Sequence, residues 1–388
     1  MPPHSTETQV IYVHIPYCSR KCSYCGFYSK VASGDRQAYV DALCKEIQTR
    51  AGDIWPHPHE VQTIYFGGGT PTLLSIAQLE QIVEQLHRSF NLSTMQEFTI
   101  EANPECLTKE YVDGLRTMGA FNRISIGVQS FADKDLRLLN RRHSGQEARE
   151  AIENVQERGY RNISVDLIYG IPGQTRDTWL QNLAVVAQYG IQHLSCYALT
   201  VEPSTILERQ LQMGRTTLPD EETVIERYKT LLQWSGENGY TQYEVSNFCR
   251  GKYRSRHNSR YWNRTPYLGI GAAAHSFDGR LRRWNVADTS RYIEGVTTGK
   301  QYFESEQLNE TNAVNEYIMT ALRTTDGIDM QHVAEAYRTP LTQRMAKFVH
   351  NGLLTTTAVG FSPTTEGLLH ADGMAAELFF TDDGRPLE

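Results

Sequence analysis

The 388-residue chain is predicted to be an α/β protein: a partial (β/α)6 barrel followed by a C-terminal winged-helix-like α+β module. Three observations predict it. From Val10 to about Glu244, short β-branched segments alternate with segments whose apolar residues recur at helical spacing, which makes βαβ units and a parallel sheet. About six such units are present, too few for a closed eight-fold barrel. After Glu304 the order changes to helix, helix, helix and hairpin.

The elements follow in order. Strand candidates span 10–15, 63–66, 97–101, 123–128, 163–168 and 193–197. Helix candidates span 35–50, 76–89, 109–118, 146–158, 175–188 and 221–237. Leu79, Ile82, Val83 and Leu86 illustrate the helical period. Residues 245–304 are rich in Arg, Tyr, Trp and Gly with little periodicity, and are expected to be irregular and to complete the site. In the tail, helices are expected at 311–324, 330–337 and from near 341 to 352, then a hairpin of 353–357 and 360–364 and a closing helix at 366–379. The chain thus divides into a barrel (1–244), an aromatic and basic segment (245–304) and the C-terminal module (305–388). Winged helices often bind DNA, but Gln343, Arg344 and Lys347 make the third helix only modestly basic, so a structural or docking role is expected.

Composition excludes several classes. A net charge of −7 argues against a general nucleic-acid binder. No apolar run is long enough to span a bilayer, and residues 1–9 lack the order of a signal peptide, so a cytoplasmic address is expected. Seven cysteines are an odd number, and Cys44, Cys106, Cys196 and Cys249 are scattered, unlike a disulfide framework.

Chemistry-bearing residues gather just after the strands. Gly67-Gly68-Gly69-Thr70-Pro71 follows one, Glu101 ends the next, Gln129 follows the fourth and Asp166 lies in the fifth. Strand ends of a parallel barrel share one face, which carries the active site. Cys18, Cys22 and Cys25 form C-x3-C-x2-C after the first strand. Three thiolates suit a [4Fe–4S] cluster with one iron left open, and an open iron can chelate the amino and carboxylate groups of S-adenosylmethionine (SAM). Zinc is the competing reading and needs a fourth ligand, for which His14 is the neighbour. Gly269-x-Gly271-x-x-Ala274, with Asp288 beyond, imitates a dinucleotide fingerprint, but no helix follows and it is discounted.

These motifs resemble the radical-SAM family. The likeness runs through Tyr12-Val-His-Ile-Pro-Tyr-Cys18, Phe66-Gly-Gly-Gly-Thr-Pro71, Glu101-Ala-Asn-Pro-Glu105, Gly127-Val-Gln-Ser-Phe131 and Asp166-Leu-Ile-Tyr-Gly-Ile-Pro172, and reaches Tyr267-Leu-Gly-Ile-Gly-Ala-Ala-Ala-His-Ser276 and the tail module. It is similar to the branch that holds the oxygen-independent coproporphyrinogen III oxidases and the haem chaperones, and it covers nearly the whole chain. The resemblance implies a SAM site of Tyr12, Tyr24, Gly68, Gly69, Thr70, Glu101, Gln129, Arg141 and Asp166, with Ala198 and His275 at two further matched positions. Without the resemblance, Arg141 beside Arg142 and His143 reads as a solvated helix-end charge.

Two departures separate the chain from the oxidases of that branch. They carry a fourth cysteine two residues after the third, where this chain has Phe27, and a longer arm before the cluster, for which Cys18 stands too early. Both departures resemble the haem chaperones, as does His257-Asn258-x-x-Tyr261-Trp262. In a helix His257 and Tyr261 share a face. Imidazole is a common axial haem ligand. The resemblance therefore implies haem contacts at His257, Asn258, Tyr261 and Trp262, with His257 on iron and His275, His143 or Cys249 as substitutes. Some of Arg250, Lys252, Arg254, Arg256, Arg260 and Arg264 are expected to clamp haem propionates, although such a run also suits a solvated loop, an anionic membrane surface or nucleic acid.

The implied function is binding haem and transferring it to acceptor haemoproteins such as respiratory-chain components, with an electron donor serving the cluster. The competing readings are SAM-dependent oxidation of a tetrapyrrole and DNA binding by the tail. No nucleic acid is expected as partner, no catalytic residue is assigned, and homodimerisation and peripheral contact with the inner face of a membrane stay open.

Overall fold

The computed structural model describes residues 9–31, 36–51 and 60–381. Residues 1–8 of the polar N-terminal stretch and the expected helix start at residue 35 lie outside these residues. The chain opens with β1 (Gln9–Ile15), β2 (Tyr17–Cys18) and β3 (Lys30–Val31). The helical layer and its strands follow as α1 (Gln37–Arg50), β4 (Val61–Gly68), α2 (Ile76–Ser89), β5 (Glu97–Ala102), α3 (Lys109–Met118) and β6 (Arg123–Gln129). Next come α4 (Asp133–Leu138), α5 (Gly145–Glu157), β7 (Ile163–Tyr169), α6 (Arg176–Gln188), β8 (His193–Ala198), α7 (Ile206–Gln212) and α8 (Glu221–Glu237).

Strands β1, β4, β5, β6, β7 and β8 are neighbours in that order and pair in parallel, as the alternation predicts. Successive side chains of a strand face opposite ways. Ile11, Val13, Ile64, Phe66, Phe98, Ile100, Ile124 and Val165 turn outward, where they pack with helix residues such as Leu43, Leu79 and Leu115 in one buried cluster. The alternate residues line the inner face and are polar: Thr63, Thr99, Ser125, Ser164 and Ser195 are all buried there. Helix starts follow local chemistry: Ser75 and Ser144 form capping boxes with Gln78 and Glu147, each satisfying otherwise orphaned N–H groups.

Residues 245–304 are regular, which corrects the expectation of an irregular segment. After β9 (Thr241–Gln242) they form β10 (Asn247–Cys249), α9 (Arg256–Trp262), β11 (Tyr267–Ile270), β12 (His275–Phe277), β13 (Leu281–Asn285), α10 (Thr289–Thr298) and β14 (Phe303–Gln307). These strands lengthen the sheet at both edges, β11 to β14 beside β1 and β10 to β9 beside β8. Beside β1 the extension is held by Glu46 of α1. Its buried carboxylate accepts from Gly271 N (2.8 Å), Asn285 Nδ2 (2.8 Å), Tyr292 OH (2.6 Å) and Arg50 Nη1 (3.3 Å). One buried, fully bonded charge thus fastens the extension to the helical layer. Gly269 is needed for closeness: a Cβ there would stand 1.9 Å from the His275 carbonyl oxygen. The glycine pair that imitates a dinucleotide fingerprint therefore serves a tight turn.

The C-terminal module has its own core of Val314, Ile318, Leu322, Leu341, Met345 and Leu378 among others. Its elements are α11 (Glu310–Ala321), β15 (Ile328–Asp329), α12 (Glu335–His350), β16 (Leu354–Thr356), β17 (Gly360–Pro363), α13 (Thr365–Leu369) and α14 (Ala371–Leu378). Two expected helices, 330–337 and 341–352, are instead a 3-10 turn at Met330–His332 and the continuous α12. Pro340 lies near the start of α12, where its missing N–H loses a single bond. Burial of Tyr337, Leu341, Met345 and Phe348 on one helix face offsets that loss. No helix among the described residues is long and apolar enough to cross a membrane.

Candidate functional site

The site lies where β1, β4, β5, β6 and β7 end. The loop carrying Cys18, Cys22 and Cys25 leaves β1 and returns through β3, which pairs with β2. Four contacts pin it: Ser23 N donates to Leu139 O (3.0 Å), Ser23 Oγ to Leu138 O (2.9 Å), Asn140 Nδ2 to Lys21 O (2.8 Å) and Leu207 N to Ser23 O (2.8 Å). The three thiols are free and half-buried. Burial pushes the Cys18 and Cys25 thiols up, and both lie close enough to Cys22 to feel its charge.

No three His, Cys, Asp or Glu side chains among the described residues converge on one point, as a single metal ion requires. His14 is also committed elsewhere, with Nδ1 bonded to Tyr12 OH and Nε2 to Tyr28 O, both at 3.0 Å. An iron–sulfur cluster takes one thiolate per iron, so its thiols stand apart, and three free thiols on one pinned loop fit that donor set. Arg141 adds to the fit. Its Nη1 donates to Cys22 Sγ at 3.3 Å, while Nη2 donates to Asn103 Oδ1 and to Gly127 O, both at 2.6 Å. Arg141 is thus an organised donor to a thiol and not a solvated helix-end charge.

The other residues of the expected SAM site interlock around this loop. The Glu101 carboxylate accepts from Tyr65 OH (2.7 Å) and Gly68 N (3.1 Å), and burial holds its carboxyl up at about 7. Gly68 has φ +110°, and a Cβ there would stand 2.5 Å from the His14 ring, so only glycine fits. Thr70 Oγ1 accepts from Asn103 Nδ2 (2.9 Å) and faces Cys18 Sγ (3.9 Å). Tyr12 stacks on Tyr65 with ring centroids 6.2 Å apart. Asp166 faces Ser125 Oγ at 3.4 Å, and burial raises its carboxyl to about 6. Gln129 ends β6 at φ +66°, where the pairing with β7 shifts register. Tyr24 packs in a buried group with Leu139, Ile168 and Ile171, and Ala198 closes β8 opposite Tyr169. Backbone carries Gly69, whose N–H donates to Ile15 O (2.8 Å).

His275 is the exception. It is exposed on β12, stacks on Trp284, and no contact ties it to the residues that Glu101 organises.

The expected haem contacts are placed differently from the reading above. His257 and Tyr261 do share a face of α9, but that face points into the barrel. His257 is 0% exposed; Nδ1 meets Thr63 Oγ1 and Nε2 meets Tyr261 OH, both at 3.0 Å. Its ring lies 5.0 Å from Tyr65, and burial lowers its pKa to about 3. Both ring nitrogens are taken up by protein hydroxyls here. His143, one substitute, bonds Glu105 (3.3 Å) and Val128 O (3.0 Å), and Cys249 is buried. Asn258 N donates to the helix cap Ser255, and Trp262 lies under Arg323 of the C-terminal module, 5.7 Å away.

Five of the six basic residues bond or stack within the fold, while Lys252 is exposed. Arg254 pairs with Asp326 (3.0 and 2.5 Å), Arg264 with Glu316 (2.6 Å), Arg256 with Gln96 and Arg260 with Gln62. Arg250 covers Tyr240. Two of these arginines fasten the C-terminal module to the barrel, where a propionate clamp was expected.

Two inner-face residues went unnoticed in the sequence. Arg123 is buried, with Nε and Nη1 lacking a partner, and His193 bridges Ser164 and Tyr243 at 2.7 Å on each side. The signal that finds them is the period-two polar pattern Arg123, Ser125 and His193, Ser195 within strands.

Comparison with known proteins was made on this footing. The model of the Radical SAM superfamily matches residues 12–185, and that of the HemN C-terminal domain matches residues 308–370. The "Heme chaperone HemW" of Bacillus subtilis is 35% identical over 330 residues, 84% of this chain and 86% of its own. The "Heme chaperone HemW" of Mycobacterium tuberculosis H37Rv is 33% identical over 376 residues, 95% of this chain and 94% of its own. Among solved structures, that of the radical SAM enzyme coproporphyrinogen III oxidase (HemN) from Escherichia coli superposes with TM-score 0.81 at 25% identity, covering 95% of this chain and 89% of that one.

Proposed function

The chain belongs to the radical SAM superfamily and, within it, to the family of the heme chaperones HemW; on that premise we propose that it binds haem and hands it to acceptor haemoproteins. The observation that carries the reading is the likeness, at 33–35% identity over most of both chains, to relatives named for that role. Phe27 supports it over decarboxylation of coproporphyrinogen: it stands two residues after Cys25, 73% exposed, and offers no fourth thiol.

We assign the resident [4Fe–4S] cluster to Cys18, Cys22 and Cys25, with SAM beside it. When bound, these groups supply a one-electron reductant and an iron without a protein thiolate that SAM can occupy. The chain's own residues then have separable tasks. Arg141 donates an N–H toward the Cys22 sulfur and so stabilises negative charge there. Glu101, oriented by Tyr65 and Gly68, presents a carboxylate to hydroxyl or ammonium groups, and Asp166 presents a second. Gly68 and Gly69 let backbone approach the ligand's amino-acid end. Tyr12 and Tyr24 give the pocket aromatic walls, Thr70 and Gln129 polar edges, and Ala198 leaves room at the end of β8. The burial that raises Glu101 and Asp166 also excludes water, which strengthens each of these contacts.

The test is a haemin titration of the protein after oxygen-free reconstitution of its cluster, followed by the Soret band, with coproporphyrinogen III offered in a parallel assay. Stoichiometric binding without consumption of the tetrapyrrole is expected. Consumption without haem binding reverses the reading in favour of the oxidase.

A further inference from the structure

Resting on the cluster assignment above, we propose that the apolar and basic surface formed by the cysteine loop and α7 docks an acidic one-electron carrier protein, which reduces the cluster. The inference starts from where the chain leaves large apolar side chains in water. Among the described residues eight are exposed, and four of them, Phe27 (73%), Val31 (54%), Ile206 (39%) and Met213 (62%), lie on the cysteine loop or on α7 and its end. The two elements touch. Leu207 N donates to Ser23 O (2.8 Å), and a Cβ on Gly26 would stand 3.0 Å from Glu202 Cγ. Ile206, Arg209 and Met213 recur at helical spacing and share the outer face of α7, while Leu207 turns inward and is buried. Single exposed apolar residues are ordinary, but half of them gathered beside one cofactor loop mark an interaction surface.

Charge says which kind of partner fits. Residues 18–31 carry Arg20, Lys21 and Lys30 and no acid, and residues 202–215 add Arg209 and Arg215. These five cations stand against two carboxylates, Glu202 and Glu208, and Glu208 is turned to Ser204 N (2.7 Å). The surface is therefore positive on a chain of net charge −7, so it attracts an acidic protein while the remainder repels it, which orients the encounter. Electron delivery selects the class of partner. The cluster takes its electron from outside the chain, and transfer weakens steeply with distance. Arg141 and Thr70 meet Cys22 and Cys18 on the barrel side of the loop, whereas Phe27, two residues after Cys25, stands in solvent. Lys21 Nζ donates to the Phe27 carbonyl (2.9 Å) and to Ser29 Oγ (3.1 Å), which braces this part of the loop. A carrier seated on Phe27 thus rests on the loop that bears the three thiols. In the step itself the carrier gives up one electron and is oxidised, the cluster accepts it and is reduced, and no bond or proton moves. Electron-transfer partners meet over small, weak interfaces, for which a few apolar side chains rimmed by charge are sufficient.

The experiment uses the full chain with its cluster reconstituted under exclusion of oxygen, and two acidic probes, a plant-type ferredoxin and a flavodoxin. Binding of each oxidised carrier is measured by titration calorimetry at low and high salt, and reduction of the cluster by each reduced carrier is followed by stopped-flow absorbance. The wild type is expected to bind at least one of them, more weakly as salt rises. Arg20→Glu with Arg209→Glu, and separately Phe27→Ser with Met213→Ser, are expected to weaken binding and slow reduction about tenfold or more, while dithionite reduces every variant as fast as the wild type. Arg20→Lys with Arg209→Lys keeps the charge and should keep both properties, and Val359→Ser, exposed in the C-terminal module, should change neither. Unchanged binding and reduction in both double variants would overturn the proposal. So would a wild type that binds neither carrier, or variants that lose only their binding to anionic phospholipid vesicles. In each of these cases a cluster that dithionite still reduces leaves the cofactor assignment standing. A chain that takes up no cluster removes that assignment, and this proposal with it.

Discussion

Replacing His257 by alanine separates a structural histidine from a haem ligand. The imidazole is wholly buried and bridges Thr63 Oγ1 and Tyr261 OH at 3.0 Å each. Truncation removes two buried hydrogen bonds, strands two hydroxyls and opens a cavity the size of the ring, for a summed loss of about 3 kcal/mol. Tyr261→Phe removes the Nε2 bond alone and is expected to lose about 1 kcal/mol. The assay is chemical denaturation of the reconstituted protein under exclusion of oxygen, followed by far-ultraviolet circular dichroism. The folded fraction of His257→Ala should retain the wild-type Soret band when haem is added. A loss of stability under about 1 kcal/mol, together with a vanished Soret band, would refute the reasoning and return His257 to the iron.

Three further predictions follow from the same geometry. Glu316 takes both Arg264 (2.6 Å) and Arg282 (2.7 Å) while only 20% exposed, so Glu316→Ala strips Arg264 of its carboxylate and leaves Arg282 with Glu306 at 3.7 Å. A loss of about 1–2 kcal/mol is expected, read as a lower denaturation midpoint and faster proteolysis between the two parts; an unchanged midpoint would contradict the staple. Arg141→Met removes an N–H donor to the Cys22 sulfur, and the reduction potential of the cluster should move to more negative values in a redox titration followed by electron paramagnetic resonance, whereas an unmoved potential would place the guanidinium elsewhere.

The third concerns pH. Burial holds His14 down at about 4 and His257 at about 3, below the 6.5 of the unfolded chain, so their contribution is complete above pH 6.5 and is lost as pH falls. Glu101 and Asp166, raised to about 7 and about 6, act in the opposite sense between those values and their unfolded 4.5 and 3.8. Buried His193 is lowered in the same sense, so three histidines lose stability against two carboxyls that gain it, and the denaturation midpoint of the cofactor-free chain should fall as pH drops below 6.5. His257→Ala should show a shallower acid limb, and a limb of unchanged slope would contradict the assignment.

What could be read from the sequence follows physical range. The cysteine loop and the strand-end residues Gly68, Glu101 and Asp166 were legible because their meaning lies in short spacing and in one repeated position, the end of a parallel strand. The extension β11 to β14 was not, because its strands are three to five residues long, and the residue that fastens them is Glu46, more than two hundred positions away. The spacing of His257 and Tyr261 correctly puts them on one face of a helix, but spacing does not say where that face points. The basic run reads as a patch until its acids, Asp326 and Glu316, arrive from 72 and 52 residues downstream. His275 was legible as a matched position and as a substitute for His257 on iron; its stacking on Trp284 depends on the fold.

The central claim is that this chain carries haem to other proteins, and transfer tests it most directly. The haem-loaded protein, freed of excess haem, is mixed with an apo-haemoprotein, and the two are separated and their Soret absorbance measured. Haem should appear on the acceptor when the cluster is present, and transfer should fail in the Cys18→Ser, Cys22→Ser, Cys25→Ser triple variant. Haem that stays with the donor in the presence of cluster, SAM and reductant would contradict the account.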